Sequence, residues 1–255
     1  MFKGFYNLTS AMLTHQQNLN VIGNNMVNIS TAGYKQERYV ATTFDDVMYS
    51  RVDVDHSSGT EIGRQSYIRA PSDIYTDYSQ GIPEPTDLPL DFAIVGEGFF
   101  AVQDADGEVA YTRMGNFSLD DEGYLCLPGF GQVLDPQGQS IYLGTDKIRC
   151  DKQGTIYYDV LSDEGGTAIG QLGVYRFEDN EALERNDRGL FTGEGAQQST
   201  DFVIWNQYLE RSNSDMVKQM TEMITYQRAL QSAAQVTKMY DQLMTRATTE
   251  VGRMQ

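Results

Sequence analysis

The chain has 255 residues, 40% of them hydrophobic and 11% aromatic, enough apolar material for one large buried core or two smaller ones. Its formal net charge of −17 repels phosphate backbones and anionic lipid headgroups, which sets aside nucleic-acid and membrane-surface binding. No apolar run reaches the ~18 residues of a membrane span, and the opening MFKGFYNLTSAML has no apolar stretch followed by a small-residue cleavage site, so neither membrane insertion nor a cleaved secretion signal is expected.

The charge is unevenly spread. Residues 1–36 contain no acid, only Lys3 and Lys35, for a net +2; residues 37–201 hold 31 acids and 11 bases, net −20; residues 202–255 hold 5 acids and 6 bases, net +1. Like charge keeps a body soluble and apart from its copies, whereas nearly neutral ends lack that repulsion. The division fits assembly through the chain ends, and it also fits two surface helices that are merely poor in acids.

Steps of four and three from Leu8 through Met12, His15, Leu19, Ile22 and Met26 to Ile29 trace a heptad seam, which predicts a helix over about residues 4–29. Its other faces carry Gln16, Gln17, Asn18, Asn20 and Asn24 in place of the usual Glu and Lys. The run NNMVNISTAGYK then breaks the helix, because Asn25, Asn28 and Ser30 can bond local backbone and Gly33 can take positive φ. Residues 1–36 form the first domain of this reading, a helix and turn. Residues 37–90, with Pro71, Pro83, Pro85 and Pro89, read as an extended connector.

From 91 to 205 the reading is a central domain of mainly antiparallel β structure. Short β-branched and aromatic runs such as DFAIV, YLCL, TIYYDV and LGVYRF alternate with turn residues. Gly107, Gly123, Gly138 and Gly154 fall between the runs, where positive φ is often needed. Residues 206–255 read as a closing helix with cap candidates Ser212, Asn213 and Ser214 and no Gly or Pro before Gly252. Met216, Met220, Met223, Leu230, Ala234, Thr237 and Met244 follow heptad steps, and Val217, Ile224, Ala233, Tyr240 and Leu243 widen the stripe. Met and Ala suit close, adaptable packing. The fold class is therefore α+β: N- and C-terminal helices pairing in coiled-coil fashion around a seam of Leu8, Met12, Leu19, Ile22, Met26, Ile29, Met216, Met220, Met223, Leu230, Ala234 and Met244, with a β body between them. Such helices pack either on their own chain or on other copies.

Candidate chemistry is thin, and no enzyme, cofactor, metal or small-molecule substrate is expected. DADGE lacks the further ligands of a calcium loop and reads as a hairpin turn. Gly96-Glu97-Gly98 runs into Phe99-Phe100 with no third glycine, so it reads as a turn and not a dinucleotide fingerprint. His15 and His56 stand far apart on a helix seam and in a polar loop, giving no triad or metal cluster. Cys126 and Cys150 are two ordinary thiols or one disulfide.

These residues resemble the bacterial flagellar hook and basal-body rod protein family at three separated places. NLTSAM followed by Asn24-Asn25-Met26-Val27-Asn28 and by Thr31, Gly33, Tyr34 and Lys35 is similar to that family's S-G-M, N-N-x-A-N and N-T-x-G-F-K signature. Ala11, Val27, Ser30 and Tyr34 stand where glycine, alanine, asparagine and phenylalanine are usual. LDFAIVGEGFFAVQ with YTRMGNFSLDDEGYL resembles the family's internal stretch, and YLERSNSD with Gln227 and Arg228 resembles its closing helix. The resemblance implies a non-catalytic subunit of the flagellar basal body, exported by the flagellar secretion apparatus. It implies assembly with copies of itself and with other rod or hook subunits into a tube that transmits torque. The modest length favours a short rod protein, proximal or distal, over a hook protein. From other classes, a secreted coiled-coil adhesin and a carbohydrate-active enzyme are the competing readings.

Overall fold

The computed structural model describes residues 2–43, 47–52, 59–65, 69–104, 107–158, 168–180, 183–186 and 189–253, and the chain divides into two compact units. His56 lies outside the described residues.

The first unit combines residues 1–27, 37–75 and 215–255. Helix α1 spans Phe2–Val27, two residues short of the expected end at Ile29. Its uncharged polar side chains do not compete with the helix, because they bond back onto its own carbonyls: Thr9 to Phe5, Thr14 to Ser10 and Asn18 to Thr14, at 2.9–3.0 Å. Strand β1 (Glu37–Thr43) pairs with β4 (Arg69–Thr76), and β2 (Val47–Val52) with β3 (Gly59–Gln65), so the connector read from the sequence contains regular structure. Helix α2 spans Met216–Arg253. Its cap is Asp215, whose Oδ1 accepts the Val217 and Lys218 amides at 2.8 and 3.3 Å. The three cap candidates read from the sequence stop one residue short of it.

The helices pack against each other in opposite directions. The His15 ring lies 5.7 Å from that of Tyr226, Thr237 Oγ1 donates to Met12 Sδ at 3.8 Å, and a Cβ on Gly4 would stand 2.6 Å from the Tyr240 hydroxyl. Since Gly4 is opposite Tyr240, residues 241–253 of α2 run about 20 Å beyond the level of Gly4 at ~1.5 Å per residue, and so past the start of α1 at Phe2.

The second unit combines residues 28–36 and 76–214. Its described strands are β5 (Pro83–Pro85), β6 (Phe92–Gly96), β7 (Phe99–Gln103), β8 (Val109–Thr112), β9 (Ser118–Leu119), β10 (Leu125–Leu127) and β11 (Gly131–Val133). There follow β12 (Ile148–Cys150), β13 (Thr155–Tyr158), β14 (Ala168–Gln171), β15 (Val174–Arg176), β16 (Glu184–Arg185), β17 (Phe191–Thr192), β18 (Gln197–Gln198), β19 (Phe202–Asn206) and β20 (Tyr208–Glu210). The main sheet runs β16-β17-β8-β7-β11-β10-β9, with β15 joining β7 to β18; β12-β13-β14, β19-β6 and β20-β5 are separate ladders. Pairing is antiparallel throughout the described ladders of this unit, as the alternating runs and short turns predict.

Strand β7 explains why GFFAV reads as an unbroken apolar run. Phe100 and Val102 enter the main core with Phe92, Ile94, Leu125, Leu143, Ile156 and Leu172, while Phe99 enters a second cluster with Phe177, Leu183 and Phe191. A strand covered on both faces cannot alternate.

Among the described residues one turn pattern recurs five times. Asp104, Asp120, Asp135, Asp151 and Asn186 each open a five-residue loop whose fourth position is Gly107, Gly123, Gly138, Gly154 or Gly189, all at φ 79–90°. In every copy the glycine amide donates to the carbonyl of the opening residue, and the opening amide donates to the carbonyl of the fifth residue, at 2.8–3.1 Å. A type I turn closed by a left-handed glycine has this pattern. The opening carboxylate or amide adds to it, as Asp135 Oδ1 does by accepting the Gln137 and Gln139 amides at 2.8 Å. The glycine positions are those the sequence marks, except that the copy at 186–190 escapes notice because Asn opens it.

Candidate functional site

Asn25, in the last turn of α1, is a buried amide that pairs with both backbone groups of one residue. Its Nδ2 donates to Glu37 O at 2.8 Å, and its Oδ1 accepts the Glu37 amide at 3.0 Å. The side chain therefore serves as a short strand partner and fixes where β1 begins.

The second unit holds a denser arrangement around the TAGYK turn. Thr31 N donates to Asn28 O at 3.1 Å, and Gly33, at φ 67°, donates its amide to Glu210 O at 2.7 Å. A Cβ on Gly33 would lie 2.3–2.5 Å from the Arg113 carbonyl and the Met114 nitrogen, so the backbone approach is possible only for glycine. Tyr34 is buried with the Arg185 guanidinium 4.4 Å above its ring. Gln36 N donates to Asn213 Oδ1 at 2.7 Å, and Asn213 Nδ2 reaches Asp77 O, Ser79 O and Ser79 Oγ at 2.7–3.1 Å. Asn213 thus works as a clamp and not as the helix cap.

Lys35 is 2% exposed. Its ammonium donates to Glu210 Oε1 at 2.6 Å and to Ser79 O at 2.8 Å. Glu210, 1% exposed, also accepts the Gly81 amide on Oε1 at 2.8 Å and an Arg113 guanidinium nitrogen on Oε2 at 3.2 Å. Arg113 donates further to Gly96 O at 2.7 Å and lies 5.4 Å from the Phe99 ring centre, while its Nε is buried without a partner. Burial pulls the Lys35 and Arg113 pKa values down, and the Glu210 charge opposes it in both cases. Two buried cations share one carboxylate. Of the three charged residues, the sequence marks only Lys35; the signal for the others is a Glu and an Arg standing in the YLERSN and YTRMG runs.

The expected seam positions differ in exposure. In α1, Ile22 is buried and Leu8, Met12, Leu19 and Met26 are half-buried, as is Ile29 just beyond it. In α2, Met223, Leu230, Ala234 and Met244 are half-buried, while Met216 and Met220 are exposed and Tyr226, Ala233, Thr237 and Tyr240 complete the covered side. Asn24, Gln227 and Arg228 are exposed; Asn28 and Thr31 are half-buried in the turn. Outward apolar side chains remain: Phe5, Tyr6 and Leu13 on α1, and Val217, Ile224, Met239 and Leu243 on α2.

Cys126 and Cys150 are both free thiols; burial, and then the charge of Asp151, push the Cys150 thiol to about 12. Among the described residues no helix is long and apolar enough to cross a membrane, and no three His, Cys, Asp or Glu side chains group as metal ligands.

Three family profiles match the chain in order: "Flagella basal body rod protein" over residues 5–35, "Flagellar hook protein FlgE/F/G D1 domain" over 93–158 and "Flagellar basal body rod FlgEFG protein C-terminal" over 206–250. The chain is 31% identical to the flagellar basal-body rod protein FlgG of Bacillus subtilis, across 96% of its own length and 97% of that protein. It is 30% identical to FlgG of Caulobacter vibrioides across 92% and 94%. It is also 27% identical to the flagellar hook-basal body complex protein FlhO of Bacillus subtilis, with both chains covered in full.

Proposed function

The chain belongs to the flagellar hook and basal-body rod protein family as a structural subunit of the flagellar basal body, and we propose that it polymerises through the outward faces of its two terminal helices. The observation that carries this reading is a row along α2. Val217, Thr221, Ile224, Arg228, Gln231, Gln235 and Met239 are spaced by three and four residues and are all exposed. They turn away from α1, hold no acid, and place Arg228 at their centre. The first helix matches it, carrying no acid at all along its length. Such faces can approach other copies while the acidic bodies keep apart.

The half-buried seam of Leu8, Met12, Leu19, Met26, Met223, Leu230 and Ala234, with Ile22 at its buried point, holds the helix pair in register and offers its edges to neighbours, and Met244 lies beyond the start of α1. Exposed Met216 and Met220 gain partners only on assembly. The partners are further copies and other rod or hook subunits. The flagellar export apparatus is proposed as the exporter and torque transmission as the mechanical task, both on the strength of the family alone. Sedimentation and negative-stain images of concentrated protein test this, and tubes or rods are expected. Leu13→Asp and Ile224→Asp should keep the helical circular dichroism of the parent and remain dispersed. Assembly by both variants at the parent's rate would refute the outward faces as the contact.

A further inference from the structure

We propose that Lys35, Arg113 and Glu210 form a charge lock, with Glu210 as keystone, that makes closure of the β body conditional on chain segments from both ends. Each of the three matched family segments supplies one member: Lys35 from residues 5–35, Arg113 from 93–158 and Glu210 from 206–250. They are separated by 78 and 97 positions along the chain, so no local folding event brings them together. Their bonds span the turn that follows α1, the strand that precedes α2 and the loop after β8.

The charges are unequal, and that sets a testable hierarchy. Among the described residues Glu210 is the one carboxylate bonded to either cation, whereas Asp77 and Glu97 act on Lys35 and Arg113 through charge alone, so removing Glu210 leaves two buried cations facing each other with no bonded counter-charge. Removing Lys35 leaves the neutral Arg113–Glu210 pair, and every group that Lys35 deserts keeps another donor. Ser79 O retains Asn213 Nδ2 at 3.1 Å, and Glu210 Oε1 retains the Gly81 amide at 2.8 Å. Glu210 is therefore indispensable while Lys35 is not. A purely packed junction would rank them by size and burial, which are nearly the same for both.

The test uses the full chain with Glu210→Gln, Lys35→Met and the double variant, followed by hydrogen exchange and urea unfolding of dilute protein. These readouts do not depend on polymerisation, so they stand or fall separately from the assembly reading. In Glu210→Gln the Gly33 and Gln36 amides should exchange about a hundredfold faster or more, with Leu125 in the core far less affected. Lys35→Met should shift them little. The decisive variant is the double one, which restores the parent's excess of one positive charge and should be more stable than Glu210→Gln alone. If Glu210→Gln does not fold, the double variant is expected to fold. A double variant as unstable as the sum of the singles, or as insoluble as Glu210→Gln, overturns the lock, as does equal damage from the two single changes.

Discussion

Replacing Gly33 by alanine should be among the most damaging one-carbon changes available to this protein. The residue sits at φ 67°, where a non-glycine costs roughly 1–2 kcal/mol in backbone strain. The added Cβ would also stand 2.3–2.5 Å from the backbone of Arg113 and Met114, and neither is the yielding end of a side chain, so the turn must move. Motion there breaks the 2.7 Å bond from Gly33 N to Glu210 O and draws Lys35, two residues on, away from Glu210, and a buried ammonium left without its counter-charge costs ~3–5 kcal/mol. The total of about 4–7 kcal/mol is a large share of the ~5–15 kcal/mol that holds a typical domain together. Gly138 is the control, at φ 79° with nothing within 4 Å of its would-be Cβ, so its alanine variant should lose only the strain of ~1–2 kcal/mol. Urea midpoints of the two variants decide the matter. Equal shifts would mean that the close approach at Arg113 carries no energy and that Gly33 is only another left-handed turn.

Asp91 is buried with Oδ2 unpaired, and burial raises its pKa while Thr86 partly opposes that. A raised folded pKa means stability that is present at low pH and lost as pH rises through the folded value. Asp91→Asn should therefore match the parent below the ordinary carboxyl range and exceed it at neutral pH; a neutral-pH loss would contradict the burial argument. Asp120 is the opposite case, because the Tyr124 amide, then Gln132 and two further amides, lower its pKa. Its contribution is present above the ordinary carboxyl range and fades as pH falls through the lowered value, so Asp120→Asn should flatten the acid limb of the stability curve. An unchanged acid limb would remove the loop from the account. In the helices, Ile22→Asp should lower helical content in dilute protein, since Ile22 is buried, whereas Leu13→Asp should not. Amides of residues 241–253 should exchange nearly as fast as free peptide before assembly, because an isolated helical stretch shorter than ~12–15 residues is marginal in water; strong protection in a verified monomer would show that they already have partners.

Much of the architecture was legible because it rests on local rules. Heptad spacing located both helices, and β-branched runs separated by glycines located the body and four of its five repeated turns. The missed features depend on distance. Asp215 was passed over as cap because Ser212, Asn213 and Ser214 are equally good by residue type, and only the fold commits Asn213 to Gln36, Asp77 and Ser79. Glu210 looks like one acid among 36 until Lys35 and Arg113 arrive from elsewhere in the chain. In the candidate site, the periodic rows gave the faces of the helices, but Met216 and Met220 belong to the stripe and still lie exposed, while Gln219 between them, which the heptad steps skip, is fully buried.

The signature residues divide by the direction they face, and this bears on what each can do. Asn25, Gly33, Tyr34 and Lys35 are buried or pressed against backbone of their own unit, so their chemistry is spent within one chain. Gln227 and Arg228 are exposed and remain available to another copy. A change in the first group should reduce assembly by unfolding the subunit, and would be partly rescued by stabilising conditions. A change in the second group should reduce assembly in a subunit whose unfolding curve is unaltered. The arrangement also gives the acid-free helix α1 and the acid-free outward row of α2 a mechanical reason. Under the proposed assembly, a neighbour's contact would add apolar burial along Val217, Ile224 and Met239 without bringing two carboxylates together, while the net −20 carried by residues 37–201 would confine close approach between copies to those helices.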